Sequence, residues 1–338
     1  MDLNQLWFIL LGFLLAGYAI LDGFDLGVGI LHLSARDDRE RRIMMNSIGP
    51  IWDGNEVWLV TFGGAMFAAF PNVYATVFSG FYVAFMLLLF ALIFRAVSIE
   101  FRSKRDSAAW KRFWDFSFFG ASLLATFLFG VAAGNALIGI PINAEGVFTG
   151  AFLDLLRPYP ILIGLLTVSF AVMHGAIYLY LKTEQALQQL VHRWMWRGFG
   201  LSLISYMLAT IFTMAVMPEA LRNFREHSWS WLIVIATVFA FANVPRAIFL
   251  GRPFYAFLSS SFTILALVFL FSFTLYPNMV VSSTSPDYNL TVFNSASSEK
   301  TLGIMTVIAL IGMPFVLAYT AVIYWAFRGK VRITEHSY

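Results

Sequence analysis

The chain has 338 residues, 59% of them hydrophobic and only 12% charged, where a soluble domain carries about 25% charged residues. Mean hydropathy is +0.76 and the formal net charge is +3, and the basic residues sit in short connectors, so a soluble globular domain and a nucleic-acid-binding surface are both excluded. With no cysteine in the chain, disulfides, iron–sulfur clusters and thiolate metal sites are excluded as well.

Apolar runs long enough to cross a hydrocarbon core of ~30 Å as helices recur from end to end. The alternation of a transmembrane β-barrel is absent. Lipid offers no partner to unpaired backbone groups, so helices are expected throughout. Spans are expected near 4–33, 50–70, 73–101, 114–138, 158–183, 198–218, 228–250, 254–276 and 302–327: an all-α integral membrane protein with nine transmembrane helices. The opening residues, Met1 to Gln5, lack the basic region of a signal peptide, so the first run reads as a retained span. Phe70-Pro71-Asn72 marks a turn between the second and third spans, and 277–301 is the one long polar loop.

Orientation follows from lysine and arginine. With the N-terminus outside, 17 of the 22 basic residues fall in inside connectors and the C-terminal tail. Four (Arg157, Arg222, Arg225 and Lys300) fall outside, and Arg95 lies within the third span. An odd number of spans is needed for this alternation. The C-terminus is therefore expected in the cytoplasm.

Chemistry concentrates in the first third. Asp22, Asp25, Asp53 and Glu56 lie within or at the head of the first two spans, whereas the interiors of the fifth to ninth hold no carboxylate. One carboxylate at the centre of a membrane helix costs ~2.5–3.5 kcal/mol on insertion scales. Asp22 and Asp25 are three residues apart and share a helix face, with Tyr18, Gly29 and His32 near the same stripe, and Asp53 and Glu56 repeat that spacing. Gly23-x-x-x-Gly27 would admit a close helix neighbour. Arg95 is the expected counter-ion, and Glu100, Lys104 and Asp115 flank the cytoplasmic side. Three readings remain open: proton handling, a packing network of ion pairs, or a cation site. The first is preferred, and a cation would want more oxygen ligands than these helices offer. The histidines, His32, His174, His192, His227 and His336, form no i, i+4 pair on a span. His174, the one near mid-membrane, reads as a packing residue, and no metal site is expected.

Several stretches resemble subunit II of cytochrome bd quinol oxidase. They are Gly17-Tyr18-Ala19-Ile20-Leu21-Asp22-Gly23-Phe24-Asp25-Leu26-Gly27-Val28-Gly29, then Arg41-Arg42-Ile43-Met44-Met45-Asn46-Ser47-Ile48-Gly49-Pro50 and Trp52-Asp53-Gly54-Asn55-Glu56-Val57-Trp58-Leu59. Gly63-Gly64-Ala65-Met66-Phe67-Ala68-Ala69-Phe70-Pro71, Phe101-Arg102-Ser103-Lys104, Trp114-Asp115 and the terminal Glu335-His336-Ser337-Tyr338 fit the same pattern. The resemblance is dense over 1–140, sparse over 141–275, and returns at the C-terminus.

The resemblance implies a subunit of a bacterial cytoplasmic-membrane terminal oxidase, which reduces dioxygen to water with electrons from a membrane quinol. It implies two four-helix bundles plus a peripheral ninth helix. The first bundle would cover 1–138 and face the partner, the second 139–300, and the ninth helix and tail 301–338. No haem is implied in this chain; two b-type haems and one d-type haem are implied in subunit I. The chain would complete the complex and serve proton delivery and dioxygen access, being non-catalytic alone. Residue by residue, Asp53 resembles the family's mid-path proton carrier, and Glu100, Lys104 and Tyr338 its cytoplasmic mouth, with Glu56 a further candidate. Asp22, Asp25, Arg95 and Asp115 would form an ion network supporting the haem site. Trp58 would lie on the dioxygen route. Implied partners are subunit I, a small single-span subunit, membrane lipid and quinone, with no nucleic acid. Two alternatives stand beside this: a proton-coupled secondary transporter, which should show matching broken helices in both halves, and a purely structural subunit.

Overall fold

A computed structural model describes residues 2–333; the tail residue Tyr338 lies outside the described residues. The helices run α1 (Leu3–Leu31), α2 (Asp38–Ile48), α3 (Trp52–Ala69), α4 (Pro71–Gly80), α5 (Tyr82–Phe101), α6 (Ala108–Ile138), α7 (Pro158–Lys182), α8 (Gln185–Val216), α9 (Arg222–Glu226), α10 (Trp231–Phe249), α11 (Pro253–Leu275) and α12 (Glu299–Ala326). A two-stranded antiparallel hairpin, β1 (Asn278–Val280) with β2 (Leu290–Thr291), sits in the polar loop before α12.

Local chemistry sets the ends. Asp2 caps α1 by accepting from the Gln5 N–H at 2.8 Å, one of the donors a helix start leaves free. Ser298 caps α12, and proline opens α7 and α11, where a missing N–H costs nothing. The expected third span, 73–101, is two helices. Phe81 (φ −99°, ψ 19°) leaves helical geometry after Ser79-Gly80 and is buried among residues of the outer cluster described below. The expected sixth span, 198–218, begins thirteen residues earlier at Gln185, because the amphipathic stretch with Arg193 and Arg197 continues the same helix.

Among the described residues, eight helices are long and apolar enough to cross a membrane: α1, α5, α6, α7, α8, α10, α11 and α12. The remaining expected span corresponds to α3, whose 18 residues begin Trp52-Asp53-Gly54-Asn55-Glu56, a polar head that lowers its mean hydropathy. The chain is thus all-helical and membrane-embedded.

Helix α1 is the hub, packing on α3, α6, α7 and α11, while α5 packs on α6, α7 on α8, and α10 on α11. The α1–α7 crossing is very close. A Cβ on Gly27 would lie 1.9 Å from the Ala171 carbonyl oxygen, and one on Gly175 would lie 2.6 Å from the Gly27 backbone. Gly23, the other half of the expected small-residue pair, has nothing within 4 Å of its Cβ position; the contact uses Gly27 with Gly175 instead. One core cluster lies towards the α2 end, around Phe24, Met44, Ile48, Met173 and Ile177. A second gathers Trp7, Phe70, Ile142, Val280, Val292 and Leu302 under the hairpin loop. That loop is tied down: the Ile140 and Ser283 N–H groups donate to Val281 and Ile140 carbonyls at 3.0 Å, and Ser297 N–H to Ala69 at 2.8 Å.

Candidate functional site

The first cluster forms where α1, α3 and α5 meet. Arg95 and Asp22 are both fully buried. The guanidinium grips the carboxylate with two hydrogen bonds, Nη1 to Oδ2 at 2.8 Å and Nη2 to Oδ1. Glu56 approaches the same Nη2 at 3.5 Å, an ion-pair distance too long for a good hydrogen bond. Arg95 is therefore the counter-ion, as expected, but its partner among the acids is Asp22. Asp25 turns away from it. Its Oδ2 accepts from Asn55 Nδ2 at 2.7 Å, and the same amide nitrogen reaches the Leu21 carbonyl at 3.2 Å. Asn55 Oδ1 in turn accepts from the Tyr324 hydroxyl on α12 at 2.9 Å. Tyr18 Oη, Asp25 Oδ1, Glu56 Oε1 and Arg95 Nε are buried without a hydrogen-bond partner. Two carboxylates, Asp22 and Glu56, thus lie within ion-pair reach of one guanidinium, and Asp25 is held beside them by Asn55.

Asp53 lies one turn from Glu56 on α3 but is exposed. It heads a stripe of exposed residues, Val57, Val60, Gly64 and Phe67, at helical spacing. Trp58, on the opposite side of α3, is buried against Gly17, where a Cβ would lie 2.2 Å from its ring. Asp53 and Trp58 thus face different surroundings.

The second cluster closes the α2 end of the bundle. Asp115 Oδ1 accepts from His32 Nε2 at 2.6 Å and Arg102 Nε at 2.5 Å, and its Oδ2 from Arg41 Nη1 at 2.9 Å. Arg102 also donates to Asp38 at 2.6 Å, and Lys111 stands 3.7 Å from Asp38. This network stitches the ends of α1 and α5 to the starts of α2 and α6. Asp115 therefore belongs to a different set from Asp22, Asp25 and Arg95, with which the sequence grouped it. Glu100 is half-buried at the end of α5, while Lys104 is exposed in a 3₁₀ turn over Arg102–Lys104. That turn changes the residue period from 3.6 to 3.0, so Glu100 and Lys104 do not share a continuous α-helical face. Among the described residues they form no ion pair with each other.

His174 is fully buried in α7, with Nδ1 2.7 Å from Ser260 Oγ and Nε2 3.1 Å from the Ile20 carbonyl oxygen, its ring stacked on Phe257. Both ring nitrogens are engaged in packing, the role expected of it. Several participants lay outside the candidate set read from the sequence: Asn55 and Tyr324 in the first cluster, and Arg102, Arg41, Asp38 and Lys111 in the second. Asn55 sits inside the polar run beside Glu56, which was a usable signal. Tyr324 is one of 13 tyrosines and lies in an otherwise apolar helix, with nothing local to distinguish it.

Comparison with known proteins identifies the family. The sequence model of cytochrome bd terminal oxidase subunit II matches residues 3–327. The chain is 36% identical to the cytochrome bd-I ubiquinol oxidase subunit 2 of Escherichia coli K12 over 97% of its own length and 95% of that protein. It is 34% identical to the cytochrome bd ubiquinol oxidase subunit 2 of Bacillus subtilis 168, covering 99% and 98%. Its fold matches a chain of the bd oxidase structure from Geobacillus thermodenitrificans with a TM-score of 0.80 at 18% identity, covering 97% and 99%. A secondary transporter finds no support in these relatives. With its family model matched almost end to end, the chain belongs to the cytochrome bd terminal oxidase subunit II family.

Proposed function

We propose that this chain completes a bacterial quinol oxidase by seating its first bundle against the haem-bearing subunit I and passing protons to that subunit through Asp53. The observation that carries the reading is the exposed stripe of α3. Val57, Val60 and Phe67 are 50%, 72% and 60% exposed, and Asp53 stands in line with them. An apolar stripe suits lipid; an acid on it does not. A protein surface covering the stripe resolves the conflict, and it would place Asp53 at a subunit boundary with Glu56 one turn behind it.

In this reading α3 crosses as the second of nine spans, α1 to α6 make one bundle, α7 to α11 a second, and α12, the ninth span, lies at the periphery. The basic residues support an outside N-terminus and a cytoplasmic C-terminus. Glu100 and Lys104, with Tyr338 of the tail, collect protons at the cytoplasmic mouth. Glu56 relays beside Arg95. Asp22, Asp25 and Arg95 hold the shape of the surface presented to the haem site, and Asp115 braces it from the α2 end. Trp58 borders the route for dioxygen. The two b-type haems and the d-type haem belong to subunit I. His174, the histidine nearest mid-membrane, supports that assignment, since both its ring nitrogens are engaged, at Ser260 and at the Ile20 carbonyl. Membrane lipid, quinone and a small single-span subunit are the chain's further proposed partners.

The test is Asp53→Asn, which removes the titratable group and nearly preserves shape. The complex should assemble with its haems, and quinol-driven oxygen consumption should fall at least about tenfold, a barrier rise of ~1.4 kcal/mol. Unchanged turnover would dismiss the carrier role, and loss of haem would favour a structural one.

A further inference from the structure

Helix α12 is the least enclosed of the long helices. Leu302, near its start, is its one buried residue, while Tyr319, Val322 and Trp325 are all more than 60% exposed. It is nevertheless fastened at both ends. Near the start, Trp7 Nε1 donates to the Leu302 carbonyl and Thr306 Oγ1, each at 3.1 Å. Near the finish, Tyr324 turns inward, edge-on to Phe24 at 6.4 Å, and delivers its hydroxyl to Asn55.

We propose that Tyr324 and Asn55 are positioning residues which together set the orientation of the Asp25 carboxyl, making the peripheral helix a latch on the buried carboxylate cluster. The inference rests on the reading that this cluster serves the oxidase. The hydrogen-bond inventory of Asn55 is the reason. Its amide nitrogen has two hydrogens, and both are spent, on Leu21 O and Asp25 Oδ2. Its oxygen accepts from the Tyr324 phenol. Turning the amide over would set its oxygen against the Leu21 carbonyl and the Asp25 carboxyl, with no donor between them, and would leave its NH₂ facing the phenol. One orientation therefore satisfies every partner. A side-chain amide does not readily take up and release protons, so this chain of three residues transmits position rather than charge. It occupies one oxygen of Asp25 and leaves the other, Oδ1, buried and unpartnered, as the face open to a further donor. The phenol also polarises the amide, so its loss weakens the Asn55–Asp25 bond one step away.

The experiment uses the complete oxidase purified with both subunits. Tyr324→Phe removes one hydroxyl and keeps the ring. Haem content should stay at the wild-type level, and turnover should fall about threefold to tenfold, the range expected when one hydrogen bond is lost from a working site. Asn55→Leu should lower turnover at least as far, and the double variant should be no slower than Asn55→Leu alone, because the phenol acts only through the amide. In redox-difference infrared spectra the Asp25 carboxyl band, identified by its loss in Asp25→Asn, should move to higher wavenumber in Tyr324→Phe. A helix that merely packs would lower thermal stability and leave that band in place. Wild-type turnover in Tyr324→Phe, an additive double variant, or an unmoved carboxyl region overturns the latch. Wild-type turnover in Asp25→Asn instead overturns the reading of the cluster on which the latch rests.

Discussion

Arg95 ties α5 to α1 through Asp22. Both are fully buried, and among the described residues Glu56 is the only other acid within ion-pair reach. Removing one partner of a buried pair strands the other charge, which costs about 3–5 kcal/mol, whereas replacing both with apolar groups is often neutral. Arg95→Met should therefore abolish accumulation of the assembled oxidase, and the paired change Asp22→Leu with Arg95→Met should restore part of it. Haem content of isolated membranes reads both. At the α2 end, Asp38 supplies a pH test. Partial burial pushes its carboxyl up, but the hydrogen bond from Arg102 and the charges of Arg102 and Lys111 outweigh this and hold it below its ordinary value. A depressed folded-state value contributes stability that is complete above the unfolded value of about 3.9 and vanishes as pH falls through the folded one. Asp38→Asn should lower the thermal stability of the complex near neutral pH, and the deficit should close as the pH is taken below about 4. A deficit that does not change with pH would count against the ion pair. Asp38 is half-exposed, so the effect is small.

At the scale of elements, the crossing of α1 with α7 governs how the bundle goes together. Gly27 meets Ala171 and Gly175 backbone to backbone, so Gly27→Ala forces two helices apart with no flexible side chain to give way. Loss of assembled oxidase is expected. Gly23→Ala, four residues earlier on the same helix, meets open space within this chain and should leave the oxidase assembled. Comparing the two on a blue native gel isolates close approach from glycine content; equal behaviour would mean the crossing is not decisive. The break at Phe81 and the early start of α8 belong to this scale too. Hydropathy registers where lipid begins but not where a helix starts in water, and it is blind to a kink inside an apolar run.

For the whole molecule the open question is which ends share a side, and α3 decides it. Its 18 residues span about 27 Å as a helix, close to the ~30 Å of a hydrocarbon core. If α3 crosses, reporters fused at residues 105, 190 and 333 all read cytoplasmic, opposite to the N-terminus. If it does not, all three fall on the N-terminal side, since every later helix is inverted. A phosphatase and fluorescent-protein pair at each site distinguishes these outcomes.

Much was legible in the residues alone, and it was the part that depends on near neighbours. Apolar runs specify helices because lipid forbids unpaired backbone, and i, i+3 spacing puts Asp22 with Asp25 and Asp53 with Glu56 on common faces whatever surrounds them. The acids, their concentration in the first third of the chain and Arg95 as counter-ion follow from such local rules. The choice of partner did not. Arg95 takes Asp22 and only brushes Glu56, Asp25 goes to Asn55, Tyr324 reaches Asn55 from 269 residues away in the chain, and Asp115 joins His32 and Arg102 instead. Those pairings depend on the rotation of each helix about its axis and on the separation set where Gly27 meets Gly175. Both emerge only when many side chains pack at once, so no window along the sequence contains them.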